Sequence, residues 1–384
     1  MRVLIIGGTG VLSSAVSIEA IRQNMGLTMI NRGNHMDLIP HGATLIKANN
    51  NDFVTIENSL KGQRFDAIID FLCLNNEEIT KSYNFYKNYT NQYFFISSCA
   101  VYDTTNCCII NEDSPKVLPM WKYSVDKWSC EELLVKLAKK DGINYTVIRP
   151  SVTYGNTRIP YGITPAYGYH WTLVERALHG KPIIRWNGGN NRCNMARVED
   201  FAVGVVGLIG NEKAYNEAFN VCGDEVPTFN DVIDAISKWI KREVPTIDID
   251  TDYYAKELSD PGELLQGRAI DSVNSNEKLK AAVPAFKQSI TLKEGVALTL
   301  QSYKDNHFQR GISWSFDAEC DRIIMSWCKL KRTDVKRFNL GFIDYLGSAT
   351  KADKIQYWME FHKNNVIAKI LKLSLRVARR LHLC

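Results

Sequence analysis

The chain has 384 residues, of which 45% are hydrophobic and 23% charged, so it can bury a sizeable core and is not expected to be disordered. No apolar run reaches the ~18 residues of a membrane-spanning helix, and with a strand expected from residue 2 no targeting peptide is expected ahead of it. The formal charge of +5 is concentrated at one end: residues 363–384 hold six Lys or Arg and no acid, which leaves the body near neutral and argues against nucleic-acid binding by it.

In chain order, residues 2–6 form a short apolar run of the kind a buried parallel strand needs. Gly7-Gly8-Thr9-Gly10 follows, and then a helical pattern through Gln23. A glycine turn between strand and helix lets the backbone approach a pyrophosphate, which then rests on the helix N-terminus. Gly7 and Gly10 take the first two glycine positions of that fingerprint, and the small Ser13 replaces the third, where close packing is needed. Further strands are expected at residues 27–31, 43–48, 65–72, 92–97 and 144–149, with helices near 53–62, 77–89 and 123–140. Such alternation predicts an α/β fold, a Rossmann-type doubly wound parallel sheet covered on both faces. Ligands in that architecture collect at the carboxyl ends of the strands.

The second strand ends in Asn31-Arg32-Gly33 without an acid to bond a ribose 2′-hydroxyl, while Arg32 suits a 2′-phosphate. The cofactor choice between NAD and NADP therefore leans to NADP. After the third strand, Asp52 either bonds an adenine edge or caps the next helix. In the helix over residues 123–137, Tyr123 and Lys127 are four apart and share a face, so hydroxyl and ammonium can converge. A nearby cation favours the phenolate and lowers a tyrosine pKa that is otherwise about 10, which suits a general acid or base. The ten cysteines lack Cys-x-x-Cys or zinc-like spacing, and Cys107 and Cys108 are adjacent; free thiols and no metal are expected.

Several motifs in order carry a resemblance. They are the glycine loop, the strand end Ser97-Ser98-Cys99-Ala100-Val101-Tyr102, Tyr123-x-x-x-Lys127, and Ile148-Arg149-Pro150-Ser151-Val152-Thr153-Tyr154-Gly155. Arg197-Val-Glu-Asp-Phe-Ala202 and Phe219-Asn-Val-Cys-Gly223 continue it. Residues 1 to about 300 resemble the extended short-chain dehydrogenases, the NAD-dependent epimerase/dehydratase family that acts on nucleotide sugars; the turn at residues 30–33 looks more like relatives of chloroplast stem-loop-binding proteins. The resemblance implies a catalytic set of Ser98, Tyr123 and Lys127, with Tyr123 exchanging a proton, Ser98 holding the reacting oxygen and Lys127 bonding the nicotinamide ribose. It implies cofactor contacts from Gly7, Thr9, Gly10, Val11, Leu12, Asn31, Arg32, Asp52, Phe71 and Pro150, besides Tyr123 and Lys127. Substrate contacts are expected from Ser98, Tyr154, Tyr167, Arg192 and Arg197, the two arginines as forks for diphosphate oxygens.

Departures narrow the reaction. The resembling 4,6-dehydratases place Asp-Glu directly after the catalytic hydroxyl; Cys99-Ala100 stand there and cannot eliminate water. Cys99 reads as a small buried residue. Val152 replaces the Asn that the family usually offers to substrate. A nucleotide-sugar epimerase acting at C4 is expected, with a role in surface-polysaccharide precursor synthesis; a 4-keto reductase using NADPH, or a non-catalytic dinucleotide-binding regulatory or RNA-binding module, are the alternatives.

Residues 1–306 are expected to form the dehydrogenase domain, with cofactor binding mainly in 1–155 and substrate binding mainly in 156–306. The stretch from Tyr161 to Trp171, with Tyr167, Tyr169 and His170, either lines a substrate pocket or is a packed loop. Residues 307–384 are a largely helical extension of unassigned role. Within it, Lys369, Lys372, Arg376 and Arg379 recur at three- and four-residue steps beside an apolar side of Val366, Ile367, Ile370, Leu371, Val377 and Leu381. Such a helix either packs on its own domain, docks on a partner, or lies on an anionic membrane surface. The expected location is cytoplasmic, membrane-peripheral if that helix binds lipid. The resemblance also allows a homodimer.

Overall fold

Successive side chains of a strand point to opposite faces, and in β1 (Arg2–Ile6) both faces are apolar. Val3 and Ile5 enter one core, Leu4 and Ile6 another. Continuous apolar runs are what a sheet covered on both sides requires. The structure, a computed structural model, describes residues 1–105, 109–116, 120–307 and 311–380, with side chains through Ser374 at the carboxyl end. Cys107, Cys108 and Leu381 lie outside the described residues, and nothing is said of the side chain of Val377.

After β1 the chain runs through α1 (Val11–Arg22), β2 (Gly26–Asn31), β3 (Thr44–Lys47), α2 (Phe53–Leu60), β4 (Ala67–Asp70), α3 (Asn76–Tyr86), β5 (Gln92–Ile96), α4 (Lys122–Asp141), β6 (Asn144–Pro150) and β7 (Val152–Tyr154). It continues as α5 (Trp171–Leu178), β8 (Ile183–Arg185), β9 (Met195–Arg197), α6 (Val198–Gly207), β10 (Glu217–Val221), α7 (Phe229–Ile240), β11 (Thr246–Asp248) and α8 (Thr251–Glu257). The rest is helical: α9 (Glu277–Ala282), α10 (Leu292–Asp305), α11 (Trp314–Lys331), α12 (Lys351–Phe361) and α13 (Val366–Arg380).

Seven strands form one parallel sheet in the order β10-β6-β5-β4-β1-β2-β3. This is the doubly wound Rossmann order, reversing direction between β1 and β4, with β10 added beside β6. One core gathers Val16, Ala20, Phe201, Val205 and Phe286 beneath the sheet; the other gathers Ile56, Ile79, Tyr83 and Leu134 above it. The strand expected over residues 65–72 is shorter, Ala67–Asp70. Phe65 makes an isolated bridge to Thr90, and after Asp70 the chain turns because the Asp70 carboxylate accepts the Leu72 N–H at 2.8 Å.

The chain divides into two compact units. The first contains residues 1–155, 191–228 and 260–295, and so holds the seven-stranded sheet. The second contains residues 156–190, 229–259 and 296–384. Its interior is aromatic, with Trp186 against Phe229 at 4.9 Å and Tyr161 at 5.5 Å between ring centres. It also encloses a charge cluster. Arg176 and Lys181 meet Asp317 and Asp321 of α11 at 2.5–2.8 Å, all four side chains fully buried. Tyr345 donates to Asp317 at 2.8 Å and Tyr357 to Asp321 at 2.7 Å. The carboxyl-terminal extension thereby supplies both anions that compensate the buried cations of α5 and its following turn. Among the described residues no helix is long and apolar enough to cross a membrane.

Candidate active site

At the end of β1, Gly7 adopts φ +83° and donates its N–H to Ile30 O at 3.0 Å. That left-handed conformation is what glycine tolerates. Thr9 N donates to Gly7 O at 2.9 Å, and Gly10 is the N-cap of α1, ahead of the half-buried Val11 and Leu12. Ser13 does more than pack: its Oγ accepts from Gly10 N at 2.8 Å and donates to Gly7 O at 2.7 Å. The hydroxyl therefore clamps the turn and leaves the first turn of α1 with its amide dipoles unopposed, a setting that favours a pyrophosphate.

At the end of β2, Asn31 Oδ1 accepts from Gly33 N at 2.8 Å, while Asn31 Nδ2 is buried with no partner among the described residues. A buried donor of this kind is costly unless something accepts from it. A ribose oxygen or 2′-phosphate would do so. The site thus fits the expected dinucleotide, and Arg32 beside it is exposed. Asp52 caps α2, accepting from Thr55 N at 3.2 Å; hydrogen bonding to the Thr55 side chain, and then to its backbone N–H, lowers its pKa. Of the two readings of Asp52, capping has the observed partner. Phe71 packs, half-buried, against the lower core with its N–H on Ile6 O at 3.2 Å, and Pro150 ends β6 opposite Val221.

The carboxyl ends of β4 and β5 are where the Lys127 ammonium and Ser98 lie. Lys127 is 4% exposed, and its Nζ donates to Cys73 O at 2.7 Å and Ile96 O at 2.8 Å, 4.9 Å from the centre of the Phe95 ring. Burial pushes its pKa below the ordinary lysine value, with neighbouring acidic groups opposing the shift. Ser98 lies two residues beyond Ile96, as N-cap of a 3₁₀ turn, Cys99–Val101, and its Oγ accepts from Ala100 N at 3.1 Å. Ser124 of α4 donates to Ala100 O at 2.6 Å. Two bonds, one from Ser124 and one from Lys127, therefore tie the first turns of α4 to the strand end that carries Ser98. Tyr123 directly precedes Ser124, 38% exposed, with its ring 5.5 Å from that of Trp121.

Residues outside the predicted set shape this corner. Asp70 is buried and accepts from Ser82 Oγ, from Tyr93 OH at 2.9 Å and from Cys73 Sγ at 3.1 Å, so it sets the turn that offers Cys73 O to Lys127. One turn beyond Lys127, Glu131 pairs with Arg149 at 2.6 Å, both 4% exposed; Arg149 also donates to Tyr102 OH at 2.6 Å, which in turn donates to Asn220 Oδ1 at 2.7 Å. Ser97 donates to the same Glu131. The start of α4 is held by Gln266, whose Oε1 accepts from Met120 N and Trp121 N, each at 2.9 Å. Gln266 belongs to a single π-helical turn, Glu263–Arg268, and just ahead of it a Cβ on Gly262 would lie 2.6 Å from Met120 O. Tyr102 and Arg149 stand in the quoted motifs and Asp70 is a lone acid ending an apolar strand, whereas nothing local marks Gln266.

Cys99 is buried with its Sγ on Arg149 O at 3.2 Å, and burial pushes its thiol well above the ordinary range. The seven described cysteines are buried free thiols, and among the described residues no cluster could hold a metal ion. The expected substrate contacts are scattered. Tyr154 is 1% exposed, its OH 3.5 Å from Leu292 O, and Arg197 is 2% exposed and paired with Glu199 at 2.7 Å; both are built into packing. Arg192 is half exposed and paired with Asp271 at 2.9 Å. In the second unit Tyr167 and Tyr169 are exposed, with the Arg158 guanidinium over the Tyr167 ring, whereas Tyr161, His170 and Trp171 are buried. That stretch is a packed loop with two exposed rings.

Residues 3–222 match the NAD dependent epimerase/dehydratase family. The chloroplast stem-loop binding protein of 41 kDa b from Arabidopsis thaliana is 25% identical over 253 residues, which cover 62% of this chain and 62% of that protein. A UDP-glucose 4-epimerase from Thermotoga maritima, solved with UDP-glucose, superposes with a TM-score of 0.65 at 18% identity, covering 80% of this chain and 100% of the other. A UDP-glucuronic acid 4-epimerase from Bacillus cereus, solved with UDP-glucuronic acid and NAD, gives a TM-score of 0.65 at 17% identity, with coverage of 80% and 100%. At these identities the superpositions speak for the fold, and the match over residues 3–222 for the family. The chain belongs to the NAD dependent epimerase/dehydratase family.

Proposed function

We propose that the chain is a nucleotide-sugar 4-epimerase in which Ser98, Tyr123 and Lys127 carry the chemistry. The observation that carries the reading is the pinning of Lys127 on Cys73 O and Ile96 O, with Ser124 holding the adjacent turn to the Ser98 strand end. An ammonium has three hydrogens, and the two carbonyls account for two. The third is the donor for a nicotinamide ribose hydroxyl. NAD(P), when bound, would supply the acceptor and donor of the hydride. Gly7, Thr9, Gly10 and the first turn of α1 would hold its pyrophosphate, and Asn31 with Arg32 its adenosine ribose.

Tyr123 removes the proton of the sugar C4 hydroxyl as the C4–H bond gives up its hydride, leaving a 4-keto sugar. The Ser98 oxygen already accepts from Ala100 N, so its hydrogen is the one offered to that keto oxygen. Lys127 places a positive charge on the same helical face as Tyr123 and favours the phenolate. After the keto sugar rotates, the hydride returns to its opposite face and Tyr123 restores the proton. The product differs from the substrate only at C4, with no net use of cofactor. A 4-keto reductase is the second reading, supported by exposed Arg32 and the absence of an acid at the end of β2, features that suit NADP.

The test is incubation with a panel of UDP- and dTDP-sugars, following both sugar products and NAD(P)H absorbance. Interconversion of C4 epimers without net absorbance change is expected; consumption of one NADPH per product would establish the reductase instead. Tyr123→Phe should lower turnover by roughly 10²–10⁴-fold while NAD(P) still binds. Undiminished turnover in that variant would sink the assignment of Tyr123.

A further inference from the structure

The sides of α13 behave differently. Ala368 is 1% exposed and faces its own unit, where Lys372 pairs with Glu360 of α12 at 2.7 Å. Val366, Ile367, Ile370 and Leu373 are 69%, 61%, 58% and 63% exposed. At 100° per residue, Val366, Ile370 and Leu373 fall within a sector of about 60°, and Ile367 lies about 60° further round. The positions of Lys369, Arg376 and Arg379 run alongside as a basic stripe, Lys372 within the same arc being answered by Glu360, and the helix itself contains no acid. Aliphatic side chains left in water at this density are unfavourable and call for a cover.

Charge decides what covers them. A second copy docked through this face would bring two identical basic stripes together, with no acid in either helix to answer them. A surface bearing anionic headgroups satisfies both features at once: phosphates take the cations and the acyl boundary takes the aliphatics. Five Lys or Arg within these 15 residues are too many charges for a helix that spans a bilayer, so it would lie in the interface. We propose that α13 is an interfacial helix that docks the enzyme on anionic membranes.

Vesicle co-sedimentation of the full chain tests this, with phosphatidylcholine alone against phosphatidylcholine mixed with phosphatidylglycerol. Binding is expected only to the mixed vesicles and should weaken as salt is raised. Two surface double variants, Lys369→Glu with Arg376→Glu and Ile370→Ser with Leu373→Ser, should each lower vesicle partitioning by roughly tenfold or more, with unchanged thermal melting as proof of folding. Equal binding to neutral vesicles, or no binding of the folded chain to the mixed ones, would overturn the proposal. So would a dimer abolished by either double variant in a chain that ignores vesicles.

Discussion

His170 shows how burial turns one side chain into a pH-dependent term. Its Nδ1 accepts from Ile159 N at 3.0 Å, its Nε2 is buried with no partner among the described residues, and burial, aided by the charge of Arg158, pushes its pKa down to about 4. Between that value and the ordinary 6.5 the unfolded chain binds a proton that the folded chain refuses. Stability is therefore full above about 6.5 and falls as pH drops toward 4, by roughly 3 kcal/mol in all. Denaturant titrations across this window should show the slope, and His170→Asn, whose Oδ1 can replace Nδ1 as acceptor, should flatten it. At this scale the sequence was informative where chemistry is local. Tyr123 and Lys127 are marked by helical spacing, and Ser98 by what the family resemblance of its strand end implies. Asp70 and Gln266 act through residues far away in the chain, Tyr93 and Trp121 among them, and spacing carries no sign of that.

Helix α4 is the element on which the site depends. Its amphipathic pattern and the Tyr123–Lys127 face were readable; what anchors it was not. The buried pair Glu131–Arg149 joins it to β6, at the very Arg149 whose motif marks the family. Glu131→Gln leaves the guanidinium buried with its charge uncompensated and should cost about 3–5 kcal/mol, measured by equilibrium unfolding. Pairing it with Arg149→Met should recover part of the loss, because the double change removes both charges. If the single variant unfolds at the wild-type denaturant midpoint, the pair has no structural weight. The shortened β4 follows the same logic: a run of apolar residues continues through Leu72, but the Asp70 side chain captures the Leu72 amide and ends the strand.

For the whole molecule, the extension is part of the second unit's interior rather than an appendage, because Asp317 and Asp321 neutralise Arg176 and Lys181 where all four are out of water. A chain ending after residue 311 would leave two buried cations without counter-charge and is expected to aggregate or melt in its second unit. A chain ending after residue 365 loses α13, whose buried side chain among the described residues is Ala368, and should melt within a few degrees of the full protein. Calorimetry on both truncations checks the contrast; a soluble, cooperatively folding chain of 311 residues would refute the role of the cluster.

By itself the sequence determined the alternation of strands and helices, the glycine turn after β1, the Tyr–Lys face and the family, since each rests on residues close together in the chain. Tertiary structure alone decided that Ser13 clamps the glycine turn, that Lys127 is fastened to two strand ends, that Tyr154 and Arg197 are packed rather than presented, and that the extension closes a buried charge cluster. Those depend on which hydrogen bonds and charges burial brings together, and that pairing is a property of the folded chain.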